Sequence, residues 1–369
     1  MMASTFTALR LRSYSWNPTG FVHAGGIYVN PKTAPRQLLI RPHEVGFDGA
    51  VFYRLALDPF THVRLDHGIP LDLAPFRQQR IVYPLVAWLV SGGGRPDAVG
   101  WALVLMNVAG LGAIGWIGGA IAEALGRRAM WGLLLPLYPG FVVSLGLDTA
   151  EIVAATFTVG AILLLIRRRF VPATACIVAA MLTRETALLL VIGVAIAWAA
   201  ERSRPTFRAE RVPLYPAGIP IAIYAAWQFF LYTRWGEFPV GQGGGVDLAA
   251  PFWGLAVAVK GWPQGSGLQT AYQVILSVAM IAFAVTVLRE VRRMDAPSFA
   301  TYGFLVGLAL ALVYSEAIWQ HHWGFLRAFV ECYVLGCVVL LAGRKNLERL
   351  AIGAAGLWIS LAVNLVVHP

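Results

Sequence analysis

The sequence predicts an all-α protein, a polytopic bundle of about ten transmembrane segments with an extracytoplasmic N-terminal region that carries short interfacial helices. Three observations lead there. First, 58% of its 369 residues are hydrophobic, only 13% are charged and mean hydropathy is +0.66, outside the range of soluble globular chains. Second, apolar stretches suited to about 30 Å of hydrocarbon recur from Ala98 onward, and there only helices or closed barrels satisfy the backbone. No alternating strand pattern competes. Third, the positive residues behind a net charge of +10 fall in short clusters between apolar stretches, as membrane topology places them. A nucleic-acid footprint would gather them on one face or tail, so lipid is the expected partner and nucleic acid is not.

Two regions follow, residues 1–97 and 98–369. The first is polar and rich in turn formers. Its Gly25-Gly26 pair lacks the spacing and the strand-helix frame of a phosphate loop. Residues 81–90 are apolar but too short to span, which predicts an interfacial or re-entrant helix. Neither a signal-peptide core nor a spanning helix opens the chain, so a first transmembrane helix is expected upstream of Met1. The alternative is an N-terminus that crosses unaided or folds at the cytoplasmic surface.

The second region divides into expected spans at 99–122, 129–146, 150–166, 170–182, 186–200, 212–232, 270–288, 299–318, 325–341 and 351–367. Between them lie Arg127 and Arg128; residues 167–169; Arg202, Arg204, Arg208 and Arg211; Arg289, Arg292 and Arg293; and Arg344, Lys345 and Arg349. Each cluster is expected in the cytoplasm. Parity then decides how 170–200 is built. Only as two segments, broken at Thr183-Arg184-Glu185, does it keep every cluster on one side. Residues 1–97, 147–149, 233–269, 319–324 and the C-terminus consequently face outward. Residues 241–245 read as a flexible loop, and 251–259 as a stretch lying on the membrane surface. Cys176, Cys332 and Cys337 sit inside apolar segments and read as small buried side chains, with no disulfide or metal cage.

The outward face owns the uncommon chemistry. Asp48, in Gly46-Phe47-Asp48-Gly49, is flanked by small and turn-forming residues at a helix entry, where a carboxylate can act as general base. The plainer reading is an N-cap. Asp148 and Glu151 follow Pro139-Gly140 and can share a helical face, although a capping box is the local alternative. They also allow a divalent cation, Mg or Mn, held through Asp48, Asp148 and Glu151. Arg184 and Glu185 interrupt an apolar stretch, either as an ion pair or with Arg184 as a phosphate ligand. Arg77 and Arg80 precede the interfacial helix and can simply anchor it. Arg327 and Glu331, four apart, read most simply as a helical ion pair, and His321 and His322 as hydrogen-bonding or substrate-contacting groups.

The stretch 45–59, with Asp48, Arg54 and Asp58-Pro59, followed by Arg80-Ile81-Val82-Tyr83-Pro84 and by Leu182-Thr183-Arg184-Glu185-Thr186, resembles bacterial multi-spanning glycosyltransferases of the GT-C superfamily. Asp148 and Glu151 resemble that group's second acidic element. The motifs are short, and their order and shared sidedness are more specific than any one of them. The resemblance implies an enzyme of the bacterial cytoplasmic membrane with its active face outside. It would move a sugar from a polyprenyl-phosphate carrier to a glycan or glycolipid acceptor, with inversion. Asp48 then matches the catalytic acid of the first loop, and Arg54, Arg80, Asp148, Glu151, Arg184, Glu185 and Arg327 become substrate-binding candidates. The chain departs from the pattern in lacking the helix before that loop. A lipid-linked sugar flippase and a non-catalytic assembly protein for envelope glycopolymers are the alternatives from other classes, and a two-carboxylate glycosidase ranks below them.

Overall fold

A computed structural model describes residues 1–202, 212–240, 247–262, 267–294, 298–343 and 346–368. The expected loop at 241–245 and the basic residues Arg204, Arg208, Arg211, Arg344 and Lys345 lie outside the described residues.

The described chain is mostly helical. Its N-terminal region holds α1 (Met2–Ser13), α2 (Asp48–Leu57), α3 (Ala74–Gln78) and α4 (Val82–Val90). Four two-residue strands tie the loops between them. β1 (Ala24–Gly25) pairs in parallel with β2 (Ile40–Arg41), and β3 (Leu65–Asp66) pairs antiparallel with β4 (Ile69–Pro70). The second region runs through α5 (Pro96–Ala124), α6 (Pro139–Gly146), α7 (Glu151–Ile166), α8 (Phe170–Thr183), α9 (Leu188–Arg202) and α10 (Tyr215–Trp235). It continues with α11 (Trp253–Gly261), α12 (Gly267–Val291), α13 (Phe299–Leu312), α14 (Glu316–Trp319), α15 (His322–Ala328), α16 (Val330–Ala342) and α17 (Glu348–Val367). Short 3₁₀ stretches, Ala129–Leu134 and Glu185–Ala187, precede α6 and α9.

The number of spans needs correction. Three described helices, α5, α12 and α17, are long and apolar enough to cross a membrane, and the α15–α16 pair makes a fourth if its 56° bend is one broken span. About ten were expected. The physical reason is local: the apolar stretches are interrupted where backbone and side chains stop a helix. Pro139 starts α6 after an irregular turn in the expected span 129–146, and α13 stops at Leu312, short of 318. The helices α7, α8 and α13 remain apolar but shorter than a bilayer requires.

The break between α8 and α9 falls at Arg184, whose extended backbone ends one helix before the 3₁₀ turn begins. The break falls at the position expected to divide 170–200, although α8 on its own is shorter than a bilayer requires. α7 and α8 pack lengthwise as an antiparallel hairpin, which brings the start of α7 and the end of α8 together. Helix ends sort in the same way elsewhere. The Arg127 guanidinium donates to the Gly343 carbonyl, and Gly343 packs on Glu290, so the ends of α5, α16 and α12 meet at one pole. At the other pole Gln273 of α12 donates to the Gln320 carbonyl, and Trp235 at the end of α10 donates to Gln78 beside α3.

α1 lies along the C-terminal half of α17, with Phe6 edge-on to Trp358 at 6.2 Å and the buried Arg10 donating to the Leu365 carbonyl. α2 and α4 pack on each other and on α5, burying Phe52, Tyr53, Tyr83 and Ala87 against Leu103. The sequence 251–259, expected on the membrane surface, forms most of α11. Gly254 there approaches the Tyr314 carbonyl so closely that a Cβ would overlap it.

Candidate functional site

Asp48 is placed by two glycines. Gly46 has φ +87°, and its own Cα lies where a side chain would strike the Gly25 amide and the His23 carbonyl, so only glycine lets the chain cross β1 here. Gly49 lets α2 start against the turn between α6 and α7: a Cβ would stand 2.4 Å from the Leu147 carbonyl and 2.6 Å from that of Val22. Asp48 is the first residue of α2, and Phe47 holds the N-cap position with no side-chain cap hydrogen bond. The Asp48 carboxylate is therefore not spent on capping.

It is held between two guanidinium groups instead. Arg77 Nη1 donates to Asp48 Oδ1 at 2.6 Å, and Arg327 Nη2 donates to Oδ2 at 2.7 Å. Arg327 also donates through Nε to Glu151 Oε1 at 2.6 Å, the same oxygen that accepts from Arg184. Ser144 Oγ donates to Glu151 Oε2 at 3.1 Å. A continuous network thus joins α2, the end of α6, the start of α7, the α8–α9 break and α15. Arg77 is fixed from its other side by Asp72, which accepts from Nε and Nη2 at 3.1 Å each. Beside this network Arg80 forms a two-pronged pair with Glu185, at 3.0 Å from Nε and 2.5 Å from Nη2.

Burial alone would raise the Asp48 carboxyl, but Arg327 and then Arg77 outweigh it and hold the group well below the usual carboxylate range. Glu185 follows the same balance: burial raises it, and Arg80 brings it down to about 2. Both carboxylates are anions at any physiological pH.

The remaining candidates lie elsewhere. Asp148 adopts φ +46° and turns its fully buried carboxyl away from the network, toward Asn107 Nδ2 at 3.4 Å. Burial drives that carboxyl well above its ordinary value, and Asn107 and Arg10 only partly offset it. The capping box between Asp148 and Glu151 is absent, because Ala150 is the N-cap and Glu151 the first helical residue. Arg54 is fully buried and donates to Thr61 Oγ1 at 3.0 Å and the Val63 carbonyl at 3.3 Å, bracing the 58–66 loop. The helical pair of Arg327 and Glu331 gives way to the bend at Phe329, which aims Arg327 at Asp48 and leaves Glu331 buried near Arg184 and Thr186. His321 stacks on Trp323 at 4.7 Å, and Trp323 meets Phe47 edge-on at 5.7 Å, so an aromatic wall backs the turn before Asp48.

Asp72 and Ser144 escaped the sequence reading. Nothing in the pattern marks a serine within α6 or an aspartate in a loop as partners of residues far along the chain. Asn107 left a clearer signal, as an amide inside an apolar helix, where polar groups are costly; it donates to the Tyr83 hydroxyl at 2.8 Å.

The oxygen set suggested for a divalent cation does not fit one. Arg327 stands between Asp48 and Glu151, Asp148 faces the other way, and among the described residues no group of three or more His, Cys, Asp or Glu side chains is arranged to hold a metal ion. Compared with known proteins, the chain matches no family model, no curated protein and no solved structure.

Proposed function

We propose that the protein is a membrane glycosyltransferase that moves a sugar from a polyprenyl-phosphate carrier to a cell-envelope or lipid-linked acceptor on the outer side of the bacterial cytoplasmic membrane. The observation that carries this reading is the single network in which Asp48 meets Glu151, Arg184 and Arg327 where α2, the start of α7, the α8–α9 break and α15 converge. A carboxylate beside several buried guanidinium groups suits a reaction in which a hydroxyl loses a proton while a phosphate anion leaves.

In this mechanism the acceptor oxygen attacks the anomeric carbon and its proton passes to Asp48. The bond from that carbon to the phosphate oxygen breaks, and polyprenyl phosphate departs with the electron pair, so the anomeric configuration inverts. The leaving group is already anionic and needs charge stabilisation rather than a proton. Arg327 and Arg184 offer planar, permanently charged donors for it. A base as firmly paired as Asp48 is a weak one, and the network contains its own remedy. A phosphate that draws Arg327 onto itself removes one of the two guanidinium groups that depress the Asp48 carboxylate, so donor binding raises the basicity of the group that must accept the proton. No step requires a metal ion.

The deciding experiment measures polyprenyl phosphate released from a labelled sugar carrier by purified protein in lipid. Asp48→Asn is expected to lower turnover about 10²- to 10⁴-fold while the variant stays folded. Undiminished turnover in that variant overturns the assignment of the base. Absence of release from the native chain across a panel of sugars moves the reading to a flippase, for which labelled carrier crossing the bilayer is the signature.

A further inference from the structure

Asp48 and Arg77 also border a space that Arg184 and Arg327 do not line. A cavity of about 370 Å³ opens in the N-terminal region between the turn after β1, the start of α2 and β4. Tyr28, Val29, Val51 and Ile69 give it apolar walls. Asp48, Asp72 and Arg77 supply its charged groups.

The two oxygens of Asp48 separate two sides. Oδ2 pairs with Arg327 and belongs to the bundle, whereas Oδ1 pairs with Arg77 and belongs to the cavity. On the cavity side Arg77 is already matched by Asp48 and by both oxygens of Asp72, so the lining carries one more negative than positive charge. An anionic ligand would be repelled there and would find no unmatched cation. An uncharged ligand with hydroxyl groups and an apolar face meets complementary partners: carboxylate oxygens as acceptors, the Arg77 guanidinium as donor and the Tyr28 ring, which is well exposed at 62%. Those are the properties of a neutral sugar ring.

We infer that this cavity binds a neutral saccharide, with Tyr28 as its stacking platform and Asp72 as the group that keeps Arg77 from attracting anions. The inference rests on the glycosyltransferase reading for its role: the saccharide is the acceptor, entering Asp48 from the side opposite the departing phosphate. Its binding chemistry stands on the cavity alone, and the test uses that independence.

Saturation-transfer NMR on the full-length protein in nanodiscs reads binding of a panel of methyl glycosides and short neutral oligosaccharides, with glucuronides and sugar phosphates as anionic counterparts. The expected result is binding of at least one neutral saccharide and none of its anionic counterpart. Tyr28→Ala should weaken it about 2- to 10-fold, the range of one aromatic contact. Val45→Trp, at an exposed position on the cavity rim, should abolish it by filling the space. Arg128→Ala, at an exposed position outside the cavity, should leave it unchanged. Asp72→Asn should admit anionic sugars. No neutral saccharide bound, or binding indifferent to both Tyr28→Ala and Val45→Trp, overturns the inference whatever the release assay finds. Binding as expected in a protein that releases no polyprenyl phosphate retains the saccharide site and removes the transferase reading.

Discussion

Arg327 bridges two carboxylates that would otherwise face each other across the gap between α2 and α7. Its side chain is 13% exposed, so solvent screens the network little. Arg327→Ala leaves Asp48 with Arg77 alone and Glu151 with Arg184 alone, and an unfolding measurement in detergent or nanodiscs should register a loss of about 3–5 kcal/mol, the cost of removing one partner from a buried ion pair. Arg327→Lys should recover only part, since a point charge cannot donate to both carboxylates in the fixed geometry of the guanidinium. The pH response carries a sign as well. With Arg327 present the Asp48 carboxyl is depressed, so its contribution is complete above the ordinary aspartate value, declines as pH falls below that value and is gone once pH has fallen through the depressed one. In Arg327→Ala the carboxyl moves up, and acid unfolding should begin at higher pH. An unchanged midpoint and unchanged acid limb would mean that Arg327 is replaceable. At this scale the sequence was partly legible: Asp48, Glu151, Arg184 and Arg327 stand out as charges beside apolar runs. Their pairing was not legible, because each plain local alternative, the N-cap, the capping box and the helical pair, is correct helix chemistry that tertiary contacts override.

Among the elements, α2 and the α15–α16 bend decide whether that network can close. α2 reaches the Leu147 carbonyl only because Gly49 has no side chain. Gly49→Ala must push the helix start away from the turn before α7, carrying Asp48 from Arg327. The expected effect is a drop in polyprenyl phosphate release well beyond the few tenths to 1 kcal/mol that an alanine normally gains in a helix, with stability lowered at the same time. Normal release would show that the close approach is dispensable. The bend at Phe329 turns Arg327 inward while α16 continues to the far pole. Hydropathy made the apolar stretch visible but not the bend, since neither proline nor glycine marks it. The break at Arg184, in contrast, was legible because a charged pair interrupts an apolar run and the basic clusters fix the parity.

Across the whole molecule, α5 supplies the ruler. Its 29 residues at about 1.5 Å each extend roughly 43 Å, more than the hydrocarbon thickness of about 30 Å. It begins at Pro96, whose carbonyl accepts from Tyr53 of α2, and ends at Ala124, just before Arg127 meets Gly343. The start of α7, which holds Glu151, lies beside Asn107 and Gly110 near the middle of this helix, while the Arg127 pole lies at its C-terminal end. The basic clusters described at 127–128 and 289–293 fall at the far pole, and the proposed topology has them face the cytoplasm, as loop charge favours. Sidedness can be read by labelling. In a background with Cys176→Ala, where Cys332 and Cys337 are buried, Lys32→Cys and Arg128→Cys each add one exposed thiol. A membrane-impermeant maleimide applied to intact spheroplasts should modify the cysteine at 32 and spare the one at 128, and inverted vesicles should reverse the pattern. Labelling of both from one side would place the two poles in the same compartment. The polar network would then lose its outward access, and with it the route by which an external saccharide reaches Asp48.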